Sequence, residues 1–150
     1  MKALTISQPF ASLIASGEKW IENRHWPTNY RGPLAIHAGK GTQYLDRHEL
    51  AQYPSGCIIA IAKLIHCVRK SELLDCGSGD LRLIPNTKRL LTYSRARDHR
   101  HAEGPWCWIL EDVQTIEHVP CRGAQGLWDW AQPEVLNTNN STPREGTRAC

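Results

Sequence analysis

The sequence predicts an α+β fold, a small β-barrel with short flanking helices. Short apolar segments of strand character recur along the chain, and only two or three stretches carry helical spacing. No long helices separate the strands, as a parallel doubly wound sheet would require. Tryptophan supplies much of the hydrophobic volume, with six Trp against one Phe, and a small barrel needs such large fillers. At 150 residues the chain is one domain by length, and it can bury about two-thirds of its unfolded surface without metal or disulfide.

Ala3-Leu4-Thr5-Ile6 alternates and reads as a first strand. Ser7 is placed as an N-cap, with Gln8 and Pro9 opening a helix in which Phe10, Leu13 and Ile14 share a face. Gly17 is its stop. Lys19 to Arg24 then alternates as a strand, followed by a loop, His25 to Gly32, with aromatic anchors. Pro33 to Ala38 is a strand ended by Gly39-Lys40-Gly41, and Tyr44 to Gln52 is expected to be helical. Gly56 to Val68 is the most apolar run, and its Ile and Val content marks a central strand. Within residues 69–104 a helix over Thr87 to Asp98, capped by Asn86, is expected. Trp106 to Val113 is a strand, and Val119 to Trp130 holds a further strand and a short LWDW helix. The domain is expected to span residues 1–133. Residues 134–150 have almost nothing apolar to bury and are expected to be a disordered polar tail.

The net charge of +3 does not by itself demand nucleic acid. Its distribution is more informative, because Arg82, Lys88, Arg89, Arg95, Arg97 and Arg100 face a single acid, Asp98, in that stretch. Such a segment is the footprint of a phosphate-binding face or simply of a solvated helix. Six scattered cysteines without a CxxC pair, no signal peptide and no apolar run of about 20 residues point to a cytoplasmic protein with free thiols and no membrane contact.

The densest chemistry lies in Gly17-Glu18-Lys19-Trp20-Ile21-Glu22-Asn23-Arg24. A half-buried carboxylate between two cations would orient them, Arg offering a bidentate fork and Lys a point charge. An ordinary surface ion-pair strand has the same spacing. His37, mid-strand, is a satisfied strand histidine or a donor to a base. Trp26 and Tyr30, near Arg24 and Arg31, are loop anchors or stacking platforms for unpaired bases. His101-Ala102-Glu103 with Pro120-Cys121 echoes a zinc deaminase signature, but Ala124 replaces the second thiolate, so no metal or other cofactor is expected.

The pattern G-x-K-x-x-E-x-R resembles the motif of the ASCH family, a branch of the PUA-like barrels. The likeness extends through Leu4-Thr5-Ile6-Ser7-Gln8-Pro9-Phe10-Ala11, Tyr30 to Ala38, Trp108 to Glu111 and Pro120 to Trp128, four blocks in order. It implies a PUA-like small mixed β-barrel with flanking short helices, and a cleft faced by Gln8, Lys19, Glu22 and Arg24. RNA, single-stranded or structured, or a modified nucleoside is the implied ligand; read from the residues rather than the resemblance, Trp26, His37 and Arg122 are further candidate contacts. The family's small amidohydrolase branch pairs the Lys with a Thr three residues on. Here that position is Glu22, so the nucleophile mechanism does not transfer, and a metal-independent hydrolase using Lys19 and Glu22 is the alternative. A third reading is a protein-interaction module, as in larger eukaryotic members of coactivator assemblies. Whether residues 69–104 close over the cleft is left open by the sequence.

Overall fold

The computed structural model describes residues 1–77, 82–85, 87 and 91–133. Strands β1 (Lys2–Ile6), β2 (Ile21–Arg24), β3 (Gly32–Ala38), β4 (Cys57–Arg69), β5 (Trp106–Pro120) and β6 (Leu127–Asp129) form a single mixed sheet, ordered β2-β5-β4-β3-β1-β6. Only β1 and β3 run parallel; every other neighbour pair is antiparallel. The sheet curls into a half-barrel flanked by helices α1 (Phe10–Ala15), α2 (Lys70–Leu74) and α3 (Tyr93–Arg97), as the α+β expectation required.

Side-chain alternation along the two longest strands builds the two larger of three hydrophobic cores among the described residues. Trp108 and Leu110 of β5 join Leu4, Ile14, Ile36 and Leu64 inside the curl, while Cys107 and Ile109 turn the other way onto Ile65, Val68, Leu73 and Leu91. Being covered on both faces explains why β4 reads as a nearly unbroken apolar run. The second core is where residues 69–104 go: α2, α3 and Ile84 fold against the outer face of the sheet.

Four local expectations are corrected. The 106–113 and 119 strands are one 15-residue strand, β5, bent where Asp112 takes φ 51° and the register with β4 shifts between Ile61 and Lys63, as a β-bulge does. The LWDW segment is not helical; Leu127–Asp129 pairs antiparallel with β1 as an edge strand. Tyr44 to Gln52 forms successive turns rather than a helix. It has no buried residue to pack, and local helix propensity without packing is marginal in so short a segment. The helix expected over Thr87 to Asp98 shortens to α3, capped by Thr92, whose side chain accepts from the Arg95 amide. Asn86, its expected cap, lies outside the described residues, as do Lys88, Arg89 and the 134–150 tail.

Candidate functional site

After α1 the chain reverses at Gly17, φ 82°, and the Lys19 amide returns to the Leu13 carbonyl at 2.9 Å. This places Lys19 inside the curl, 2% exposed. Its Nζ donates to Glu22 Oε2 at 2.7 Å and to the Ile21 carbonyl, and it lies 5.9 Å from the centroid of the Phe10 ring. β2 then runs antiparallel to β5, with Glu22 opposite Trp108 and Arg24 opposite Trp106. Glu22 Oε1 is 3.1 Å from Arg24 Nε. That contact is electrostatic rather than an aligned hydrogen bond, since Nε has no hydrogen-bond partner in the structure. The guanidinium instead donates through Nη2 to the Thr5 carbonyl at 2.8 Å. Lys19, Glu22 and Arg24 therefore form one continuous charged row, buried at the lysine and partly open at the arginine.

This row forms one wall of a cavity of about 410 Å³. The rings of Phe10, Tyr44, Trp26 and His101 line it too, beside the polar side chains of Ser7, Asn23, Gln43 and Glu103. Tyr44 meets Phe10 edge-on at 5.1 Å and Phe10 meets His101 at 6.2 Å. Trp26 is held edge-on against Trp108 at 4.7 Å and accepts the Trp108 indole N–H through its carbonyl. A half-polar, half-aromatic cavity of this kind suits a flat heterocycle carrying hydrogen-bonding edges.

His101 reaches the cavity because Asn23, the residue between Glu22 and Arg24, clamps its loop. Asn23 Oδ1 accepts from the Glu103 and Gly104 amides at 3.0 and 2.8 Å, and Nδ2 donates to the His101 carbonyl at 2.8 Å. The end of the 69–104 segment thus borders the cleft, while Leu73, Ile84, Leu91 and Ala96 of the same segment pack into the second core. Arg100 Nε donates to His101 Nε2 at 3.1 Å, so the neutral ring carries its hydrogen on Nδ1. Burial, then the positive fields of Lys19 and Arg100, lower the His101 pKa; burial is also the main cause lowering that of neighbouring His99.

Of the residues singled out from the sequence, Lys19, Glu22, Arg24 and Trp26 meet in this cavity. Gln8 does not line it. It is buried, accepting from the Ser12 amide and donating to the Pro54 carbonyl, so it, rather than Ser7, caps α1 with its side chain. Tyr30 and Arg31 spend their polar groups on their own loop, on the carbonyls of Pro33, Thr28 and Tyr30. His37 and Arg122 line a different and larger cavity, about 860 Å³, with Lys40. His37 is 2% exposed, and its Nε2 lies 3.2 Å from the Cys121 carbonyl. Burial lowers its pKa against that hydrogen bond, and the Lys40 charge lowers it further. Among the described residues, Arg82, Arg97 and Arg100 of the basic segment do not extend the row. Arg82 stacks on Tyr93 at 5.1 Å, Arg97 pairs with Asp98 at 2.7 Å, and Arg100 pairs with Glu18 at 3.3 Å. Thr5, Phe10 and Tyr44 are not among the site residues expected from the sequence, because nothing in their local spacing marks them as such; His101 enters there only through the rejected zinc deaminase echo.

No helix among the described residues is long and apolar enough to cross a membrane. A family model for the ASCH domain matches residues 4–120. Activating signal cointegrator 1 of Mus musculus is 34% identical across 46% of this chain, and that of Homo sapiens is 33% identical across the same share. The alignments span 15% of the length of those relatives. A crystal structure of an ASCH protein from Zymomonas mobilis superposes with a TM-score of 0.51 at 19% identity, covering 91% of this chain and 90% of that one.

Proposed function

The chain belongs to the ASCH domain family, and from that premise we propose that it binds RNA by taking an unpaired base into the cavity beside Lys19, Glu22 and Arg24. The observation that carries this reading is the pairing of the charged row with the rings of Phe10, Tyr44, Trp26 and His101 in a single 410 Å³ space. Stacking on such rings is tolerant of sequence, whereas the edge of the base can meet Glu22 or Arg24. Lys19 is buried and gives two of its three ammonium donors to Glu22 and the Ile21 carbonyl. It is not the mobile activator a hydrolase would need, which favours binding over turnover.

The test is fluorescence anisotropy with short single-stranded and duplex RNAs across a salt series. Tyr44 is 56% exposed, so Tyr44→Ala removes a stacking face with little effect on folding. It should weaken single-stranded binding by about 1–3 kcal/mol, the usual worth of one aromatic platform. Affinity indifferent to Tyr44→Ala and Trp26→Ala removes this cavity as the site. Absence of binding at low salt discards the RNA reading, and turnover of acylated cytidine lost in Glu22→Gln would then replace it.

A further inference from the structure

The two cavities differ in one respect that bears on what enters them. In the first cavity both cations are already paired with the one carboxylate of Glu22. The larger cavity has the opposite character. Lys40 and Arg122 line it, no Asp or Glu does, and neither cation makes an ion pair among the described residues. Both are exposed and stand in glycine-flanked segments, Gly39-Lys40-Gly41 and Arg122-Gly123. Gly123 approaches so closely that a Cβ there would lie 2.5 Å from His37 Cε1 and 2.8 Å from Thr5 Oγ1. Two cations without an ion pair among the described residues therefore share a space with the polar side chains of Thr5, His37 and Gln125, an arrangement suited to a backbone-borne anion.

The cavities are also adjacent. Thr5 lines both, and a smaller space of about 340 Å³ lies between them, bordered by Arg24 and Trp26 on one side and by Ala124 and Gln125 on the other. We propose that the Lys40–Arg122 cavity is a phosphate subsite for the same single-stranded RNA whose base occupies the Lys19–Glu22–Arg24 cavity, the backbone crossing at Thr5. This rests on the RNA-binding reading above and adds where the strand's charge is met. An isolated nucleoside would use the first cavity only. A strand would use both, and the steering charge would come from Lys40 and Arg122 rather than from the buried motif lysine.

Anisotropy with labelled single-stranded RNAs of one, two, four and eight nucleotides, plus competition by an unlabelled nucleoside, tests this on the full chain. Lys40→Ala/Arg122→Ala alters exposed side chains only, and a matched thermal midpoint checks its fold. The wild type should bind more tightly as the strand lengthens from one to four nucleotides. The double variant should lose that gain, at least tenfold on the eight-nucleotide strand, with nucleoside competition unchanged. Its salt slope should fall by about 1.4, from roughly 0.7 per single-strand phosphate contact. Unchanged eight-nucleotide affinity in the double variant and in Arg122→Glu overturns the subsite while leaving the first cavity standing if Tyr44→Ala still weakens binding. A mononucleotide bound as tightly as the eight-nucleotide strand overturns the crossing strand, and polyglutamate competing as well as RNA overturns nucleic acid as the occupant. A wild type that binds no RNA overturns the underlying reading as well.

Discussion

Arg24 and Thr5 lie on strands separated by three others in the sheet, yet the Arg24 guanidinium donates to the Thr5 carbonyl at 2.8 Å. The bond spans the open side of the half-barrel, so the motif arginine is a clasp as well as a cavity wall. The same side chain also faces the buried Glu22 carboxylate. Arg24→Met should therefore destabilise the fold by about 1–3 kcal/mol, the cost of leaving buried polar partners unmet. Urea denaturation measures it, and an unchanged midpoint would show that the clasp contributes nothing.

Lys19 and Glu22 are both almost fully buried, at 2% and 6% exposure. Removing one partner of such a pair strands the other charge. Lys19→Met should cost about 3–5 kcal/mol, while adding Glu22→Leu should recover much of that loss. If the double variant is no more stable than the single, the pair is not coupled. A binding assay on Lys19→Ala alone would confuse loss of fold with loss of ligand contact.

Gly123→Ala should destabilise by about 1–3 kcal/mol, as overpacking does in a filled interior. The new methyl would meet the His37 ring at 2.5 and 2.7 Å, and that ring is fixed by Cys121 on one side and Trp128, at 5.8 Å, on another. Thermal unfolding decides the point; a midpoint equal to the wild type would mean that the ring or the loop yields freely.

His37, His66, His99 and His101 all have pKa values lowered below 6.5, each first by burial. In the unfolded chain they take up protons near 6.5, while the folded state resists until lower pH. Their contribution is therefore intact above about pH 6.5 and is lost as pH falls from there towards the depressed native values. Thermal midpoints should fall on acidification from pH 7.5 to 5.5. His37→Gln should flatten part of that slope; an identical slope would mean that His37 does not contribute.

Some of this architecture was legible in the sequence because it is local. Two-residue alternation marked β1 and β2, the two-sided apolar run marked β4 as central, and the three-residue step from Lys19 to Glu22 is short enough to keep the pair together. The errors were local patterns overridden by partners or by their absence. Leu127–Asp129 has helix-compatible spacing but finds β1 as a neighbour, and Tyr44 to Gln52 has helix formers but no core to face. The polar tail was a compositional expectation, and its residues lie outside those described.

The sequence by itself determined the alternating strands, the Lys19–Glu22–Arg24 spacing and the family blocks, because each depends on neighbours a few residues apart. Tertiary structure alone decided that Thr5, 19 residues before Arg24, would receive its hydrogen bond, that Asn23 would hold His101 at the cavity across a separation of 78 residues, and that Lys40 and Arg122 would share a cavity. Those meetings depend on how a sheet curls and where loops are tied back to it. Curl and ties arise from hydrogen bonds and packing between distant segments, and no local periodicity encodes them.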